Sequence, residues 1–499
     1  MNLQPLVPDT DPHRLAAAIG GHNLIDGQLV RAESGRSFPV VNPATGREIA
    51  GAAFSDAADI DRAVGAAARA QIAWSAMPAR KRGALVSDCA RLLAEHVEEL
   101  GRLVALETGK ALRTESRVEA GVVADALQFY GGLASELKGE SVPFHPDMLT
   151  VTQREPIGVV GVIIPWNAPM MLMALKIAPA LVAGNTVVVK SAEEAPLAVL
   201  RVCQILNQKL PAGVLNIVSG FGPECGAPLV AHPSVGKVTF TGSVETGRIV
   251  ARTAGEKLIP VTLELGGKSP MIVMDDADLD KAVSGAVAGM RFTRQGQSCT
   301  AASRILVHET VHDAFVAALK ARVDAMTMGD PLDEATDIGT LISRGQLTKV
   351  LDYIESGRAI PGARALECSA LPTREDLRQG LFVRPVIFTG VDNRCRVARE
   401  EIFGPVACVI RFRSLDEAIA LANDSDFGLA ATIWTRDLKT ALDATRRLQA
   451  GFVQVNQNIV VQPGLSYGGI KQSGLGREAS LEAMLDHFTQ KKTVIFSMT

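Results

Sequence analysis

Apolar residues recur at three- and four-residue spacing through the first third of the chain. Asp56–Trp74, Lys81–Thr108 and Leu112–Leu137 each carry this period, which predicts three consecutive amphipathic helices. After Leu137 the period changes. Short β-branched runs follow at Val159–Ile164, Thr186–Val189, Val214–Val218, Val238–Thr241 and Leu258–Leu263, each punctuated by Gly, Pro or Asn and succeeded by a helical stretch. Such alternation predicts βαβ units on a parallel sheet. A second series runs through Met271–Met274, Arg304–Val307, Phe382–Phe388, Ala407–Phe412, Ala430–Trp434 and Phe452–Val455. Leu263-Glu264-Leu265-Gly266-Gly267-Lys268-Ser269-Pro270 separates the two series, so two α/β domains are expected. The tail Lys492–Ser497 alternates as one further strand with no partner near it in sequence.

The chain of 499 residues has room for about three domains of roughly 150 residues. With 47% hydrophobic and 21% charged residues, it is ordinary globular material rather than a disordered chain. A net charge of −3 gives no electrostatic reason to expect nucleic acid or an anionic membrane as partner. Met170–Gly184 is the longest apolar stretch; Lys176 and Pro179 interrupt it, and it falls short of the roughly 18 residues of a membrane span. The N-terminus has no cationic segment ahead of an apolar block, so no signal peptide is expected. The 7 cysteines are scattered and lack CxxC spacing, which favours free thiols in a reducing cytoplasm.

Several motifs carry candidate chemistry. His308-Glu309-Thr310-Val311-His312 matches the HExxH zinc pattern, which needs both imidazoles on one helical face. Here the match straddles a predicted strand–helix junction and has no third ligand in view, so no metal is expected. Gly220-Phe221-Gly222-Pro223-Glu224-Cys225-Gly226 is one residue longer than a dinucleotide fingerprint and reads as a tight turn. Phe240-Thr241-Gly242-Ser243 leaves a strand and opens a helix, either as an ordinary connection or as a pyrophosphate site using free N–H groups. Cys299 has small and polar neighbours, unlike a sealed core cysteine, but a nucleophilic role requires a lowered pKa or a base. Glu264, between leucines, is either that base with a raised pKa or a capping or ion-paired carboxylate. Asn167, in Pro165-Trp166-Asn167-Ala168-Pro169, reads as a turn residue or as a donor into a cleft.

The order of these motifs is more specific than any one of them. Together with Val189-Lys190-Ser191-Ala192-Glu193, Gly296-Gln297-Ser298-Cys299, Glu400-Glu401-Ile402-Phe403-Gly404-Pro405 and Gly468-Gly469-Ile470-Lys471-Gln472-Ser473-Gly474, the chain resembles the aldehyde dehydrogenase superfamily over nearly its whole length. That resemblance implies an α/β fold with a variant Rossmann cofactor domain (1–136 and 156–266), a catalytic α/β domain (267–480) and a β oligomerisation arm (137–155 and 481–499). The arm's tail strand would extend a sheet in a neighbouring subunit of a homodimer or homotetramer.

The resemblance further implies NAD-dependent oxidation of a small-molecule aldehyde to the acid, with NADP as the weaker alternative cofactor. Cys299 would be the nucleophile, Glu264 the base, Asn167 the oxyanion donor and Lys176 a proton relay. Cofactor contacts would fall to Ile164, Pro165, Trp166, Lys190, Glu193, Gly222, Phe240, Gly242, Ser243, Leu265, Glu401 and Phe403. Ala168, Leu172, Leu175, Val461 and Tyr467 would line a wide apolar substrate tunnel. Ser191 and Tyr467 depart from the commoner proline and phenylalanine. A CoA-acylating semialdehyde dehydrogenase generally lacks the glutamate that stands at Glu264, and a catalytically silent homologue would not need Cys299, Glu264 and Asn167 together. Arg291 and Arg294, just before Cys299, either pair with carboxylates at an interface or receive the carboxylate of a semialdehyde.

Overall fold

A computed structural model describes residues 6–458 and 462–499. Two sheets organise them. The first runs Gln28–Val30, Asn23–Ile25, Leu215–Val218, Thr186–Lys190, Val159–Ile163, Val235–Thr241, Val261–Glu264 and Gly474–Leu475. Its five central strands are parallel, and its edges are antiparallel. The central β-branched strands are buried on both faces, as helix-covered parallel strands must be. The second sheet runs Arg364–Glu367, Val386–Thr389, Val406–Phe412, Arg304–His308, Pro270–Val273, Ala430–Trp434 and Phe452–Val455, parallel except for its first pair. Gly474–Leu475 crosses back to pair with Leu263 and Glu264, tying the segment after the second sheet to the first.

Both predicted series are present, with shifts of physical origin. The single helix expected over Lys81–Thr108 is two, Ala79–Ala94 and Val97–Thr108. Between them His96 is buried, its Nδ1 2.9 Å from Glu99, which also holds Arg201. Leu112–Leu137 starts as a wide π-turn over Leu112–Ser116, continues as the helix Arg117–Gly132 and ends in a 3-10 turn. The strand expected from Leu258 begins at Val261, because Leu258 has a left-handed φ of 57° and terminates the preceding helix. Pro385 cannot donate to a ladder, so the strand expected from Phe382 begins at Val386. The short strands Asn23–Ile25, Gln28–Val30, Ser37–Val41, Glu48–Ala53 and Arg364–Glu367 went unpredicted; three to six residues carry little period.

The tail finds its partner far off in its own chain: Thr489–Ser497 pairs antiparallel with Met148–Pro156 over nine residues. The result is a two-stranded ribbon, distant in sequence but local in space.

Candidate active site

Two cavities meet at the turn that follows the Val159–Ile163 strand. The first, of about 620 Å³, is lined by Ile164, Pro165, Trp166, Lys190, Glu193 and Gly222 on one side and by Phe240, Gly242 and Ser243 on the other. Lys190 ends its strand with Nζ 3.0 Å from Glu193 Oε2, leaving the other Glu193 oxygen free to accept. Ser243 caps the Val244–Glu256 helix by accepting from the Thr246 N–H at 3.2 Å, so the first turn of that helix faces the cavity. A Cβ on Gly242 would lie 2.5 Å from the tip of the Phe240 ring, so a larger residue there would have to displace that ring. An acceptor carboxylate beside an ammonium, with a helix N-terminus opposite, suits a dinucleotide's ribose and pyrophosphate.

Leu265, Glu401 and Phe403 are not among the residues lining this cavity. Leu265 packs where a Cβ on Gly247 would sit, 2.6 Å away. Glu401 accepts the Gly267 N–H at 3.0 Å, and a side chain on Gly266 would collide with its carboxylate. Phe403 holds a left-handed φ of 58° and meets Trp166 edge to face at 5.3 Å. Gln346, unmarked in the sequence, holds this loop by donating to the carbonyls of Ile402 and Phe403.

The second cavity, about 650 Å³, is lined by Asn167, Ala168, Leu172, Leu175, Cys299 and Tyr467, with Arg291 and Arg294. Val461 lies outside the described residues. Asn167 Nδ2 donates to the Gln297 carbonyl at 3.2 Å, which leaves its second amide hydrogen for the cavity. Its own carbonyl accepts from Lys110 Nζ at 3.1 Å, and Lys110 pairs with Glu119. Glu119 in turn accepts the Met170 N–H at 2.9 Å, so one buried ion pair anchors both the turn and the helix after it.

Cys299 Sγ is 3.6 Å from the Tyr467 hydroxyl. Burial pushes its thiol up to about 11, and the Tyr467 contact pulls the other way. Glu264 is buried, and among the described residues neither of its carboxylate oxygens has a hydrogen-bond partner. Burial, reinforced by the neighbouring Glu478 charge, raises its pKa well above the ordinary carboxylate range. The ion-paired or capping alternative for Glu264 is thereby excluded. Lys176 is fully buried, paired with Glu478 and donating to Thr239 Oγ1 at 3.1 Å. Nothing in the sequence marked Glu478. Of the other cysteines, five are buried and Cys395 is half-buried.

The two arginines separate. Arg294 donates from Nε at 2.9 Å and Nη2 at 2.5 Å to the same oxygen of Glu115, which the π-turn carries into the interior. Arg291 reaches Glu115 only at 3.8 Å. The HExxH match divides as expected: His308 ends a strand with Nε2 on the Arg413 carbonyl, while His312 begins the next helix beside Asp313. The segment read as a tight turn is instead a wide π-turn over Gly222–Gly226 that runs into the short helix Ala227–Ala231, and its Gly222 lines the first cavity.

The family model described as the aldehyde dehydrogenase family matches residues 29–494. A hydroxyisobutyraldehyde dehydrogenase of Mycolicibacterium austroafricanum is 43% identical, covering 94% of this chain and 92% of its own. The chain belongs to the aldehyde dehydrogenase family. A mitochondrial benzaldehyde dehydrogenase of Antirrhinum majus is 42% identical over 95% of this chain and 88% of its own. The crystal structure of a betaine aldehyde dehydrogenase of Staphylococcus aureus, in complex with NAD+, superposes with a TM-score of 0.94 at 35% identity over 98% of this chain and 97% of that one. The aldehyde dehydrogenase fold therefore holds across the whole described chain, as the motif order implied.

Proposed function

We propose that the chain oxidises an aldehyde to the carboxylic acid with NAD as hydride acceptor, through a thioester on Cys299. The observation that carries this reading is the buried Glu264 carboxyl, unpartnered among the described residues, near the cavity that holds the Cys299 thiol and the Asn167 amide. Lys190, Glu193, Gly242 and Ser243 would hold the dinucleotide, and the NAD-bound relative of the same fold supports it. When bound, NAD supplies a hydride acceptor.

The protein's own groups account for the other steps. Cys299 gives its thiol proton to solvent and, as the thiolate, forms a bond from Sγ to the aldehyde carbon, whose π pair moves onto oxygen as an oxyanion. Asn167 Nδ2–H and the Cys299 N–H donate to that oxygen. After oxidation, Glu264 removes a proton from water, which attacks the thioester carbon and releases the acid and the Cys299 thiol. A carboxyl with a raised pKa is suited to this, because a base works best when its pKa lies near the working pH. Glu478 and Lys176, paired beneath Glu264, carry the proton onward.

The presence of Glu264 favours water over CoA as acceptor. Assembly through the Met148–Pro156 and Thr489–Ser497 ribbon into a homodimer or homotetramer is part of the same reading. So is residence in the cytoplasm, which suits seven free thiols. The test is NADH absorbance with an aldehyde panel, with and without CoA. Turnover without CoA supports hydrolysis, and turnover only with CoA overturns it.

A further inference from the structure

The second cavity carries an unmatched positive charge. Glu115 is engaged by both donors of Arg294 and by the Thr293 hydroxyl. Glu119 is matched by Lys110, and Glu478 by Lys176. Asp125 is exposed, where water screens it. That leaves Arg291. Its closest carboxylate contact is 3.8 Å from Nη1, and its Nε is buried with no hydrogen-bond partner among the described residues, while 28% of the side chain stays exposed. A buried N–H without an acceptor is costly unless a ligand supplies one, and the exposed part of the guanidinium can reach that ligand.

The backbone at Arg291 adds a second, independent observation. It sits at φ 55° and ψ 45°, as the cap of the Leu279–Met290 helix, where glycine is the unstrained choice. Positive charge at a helix C-terminus is favourable, but that needs no buried Nε on a cavity wall. Aliphatic walls from Val122, Leu172 and Leu175 lie in the same cavity as Arg291 and Cys299. They suit a short methylene chain between an aldehyde and a charged end.

We infer that Arg291 anchors a carboxylate at the far end of the aldehyde, so that the preferred substrates are short ω-carboxylated aldehydes rather than neutral ones. The inference rests on the proposed oxidation at Cys299 and narrows its substrate class. The guanidinium fork takes the carboxylate bidentately, and the loose Glu115 contact is the one it exchanges.

The test compares succinate semialdehyde with pentanal, which is of similar length and neutral. The expected kcat/KM ratio in the unaltered protein favours the semialdehyde by ~10-fold or more, as charge-assisted binding gives. In Arg291→Leu the ratio falls towards one, through KM rather than kcat, and Arg291→Lys recovers part of it. Glutarate, which cannot react, raises Tm in the unaltered protein and not in Arg291→Leu. If Arg291→Leu does not fold, the ratio in Arg291→Gln decides. An unaltered protein that prefers pentanal, or a leucine variant that keeps the ratio, overturns the inference. If neither aldehyde is oxidised while glutarate still raises Tm through Arg291, the carboxylate site stands and the oxidation reading fails.

Discussion

The two cavities are built by opposite means. The first is made of short local runs at strand ends: the turn after Ile163, Lys190 to Glu194, the start of the Gly222 turn, and the bend from Phe240 into the helix that Ser243 caps. The second is assembled from distant segments, with Asn167 from a turn, Glu115 and Glu119 from the N-terminal helices, Cys299 from a loop and Tyr467 from the last segment. Backbone groups hold the first cavity, whereas buried ion pairs hold the second. Removing one partner of such a pair strands a charge and costs several kcal/mol, on the order of 3–5. The first cavity should thus tolerate side-chain change, and the second should not.

Four substitutions bear on that contrast. Cys299→Ala should abolish turnover while NAD still binds, measured by fluorescence titration; appreciable turnover would move the nucleophile elsewhere. Glu264→Gln should lower the steady-state rate ~10²–10⁴-fold yet keep a single-turnover burst of NADH. Because the Glu264 pKa is raised, its base form is lost as pH falls through a value well above the usual carboxylate range. Hydrolysis should therefore rise with pH through that value, and the glutamine variant should lack this limb. Asn167→Ala should cost ~10²–10³-fold in kcat, and an unchanged kcat would reduce Asn167 to a turn residue. The smallest effect belongs to the first cavity. Glu193→Ala should shift the NAD-over-NADP ratio by only about tenfold, since one carboxylate repels the 2′-phosphate while Lys190 already attracts it. A preference for NADP in the unaltered protein would reverse that assignment.

The contrast also explains what could be read without coordinates. Local periodicity marked the strand–turn–helix units, and the family resemblance named the cofactor contacts on them, of which nine of twelve line one cavity. The π-turn at Leu112–Ser116 and the break at His96 carry no periodic signal, because buried pairing with Arg294 and Glu99 decides them. For the same reason Glu115, Glu119 and Glu478 passed as ordinary helix or loop carboxylates. The motif order singled out Cys299, Asn167 and Glu264 as candidates; it could not distinguish Arg291 from Arg294, whose difference is a matter of about an ångström to one carboxylate. The tail strand was legible as a strand, but its partner was not, because register across such a separation leaves no local trace.

That ribbon orders events during synthesis. Met148–Pro156 leaves the ribosome before any strand of the second sheet, whereas Thr489–Ser497 follows all of them. Until then the edge that the tail will take stands open, a template for stray pairing, while the other edge meets only the short segment around Ser141. Closing the ribbon is a contact of the longest range, formed after the local βαβ units have had time to condense. Slow steps in refolding should then fall at this closure, and premature termination should release chains whose sheets have formed but whose open edge invites aggregation.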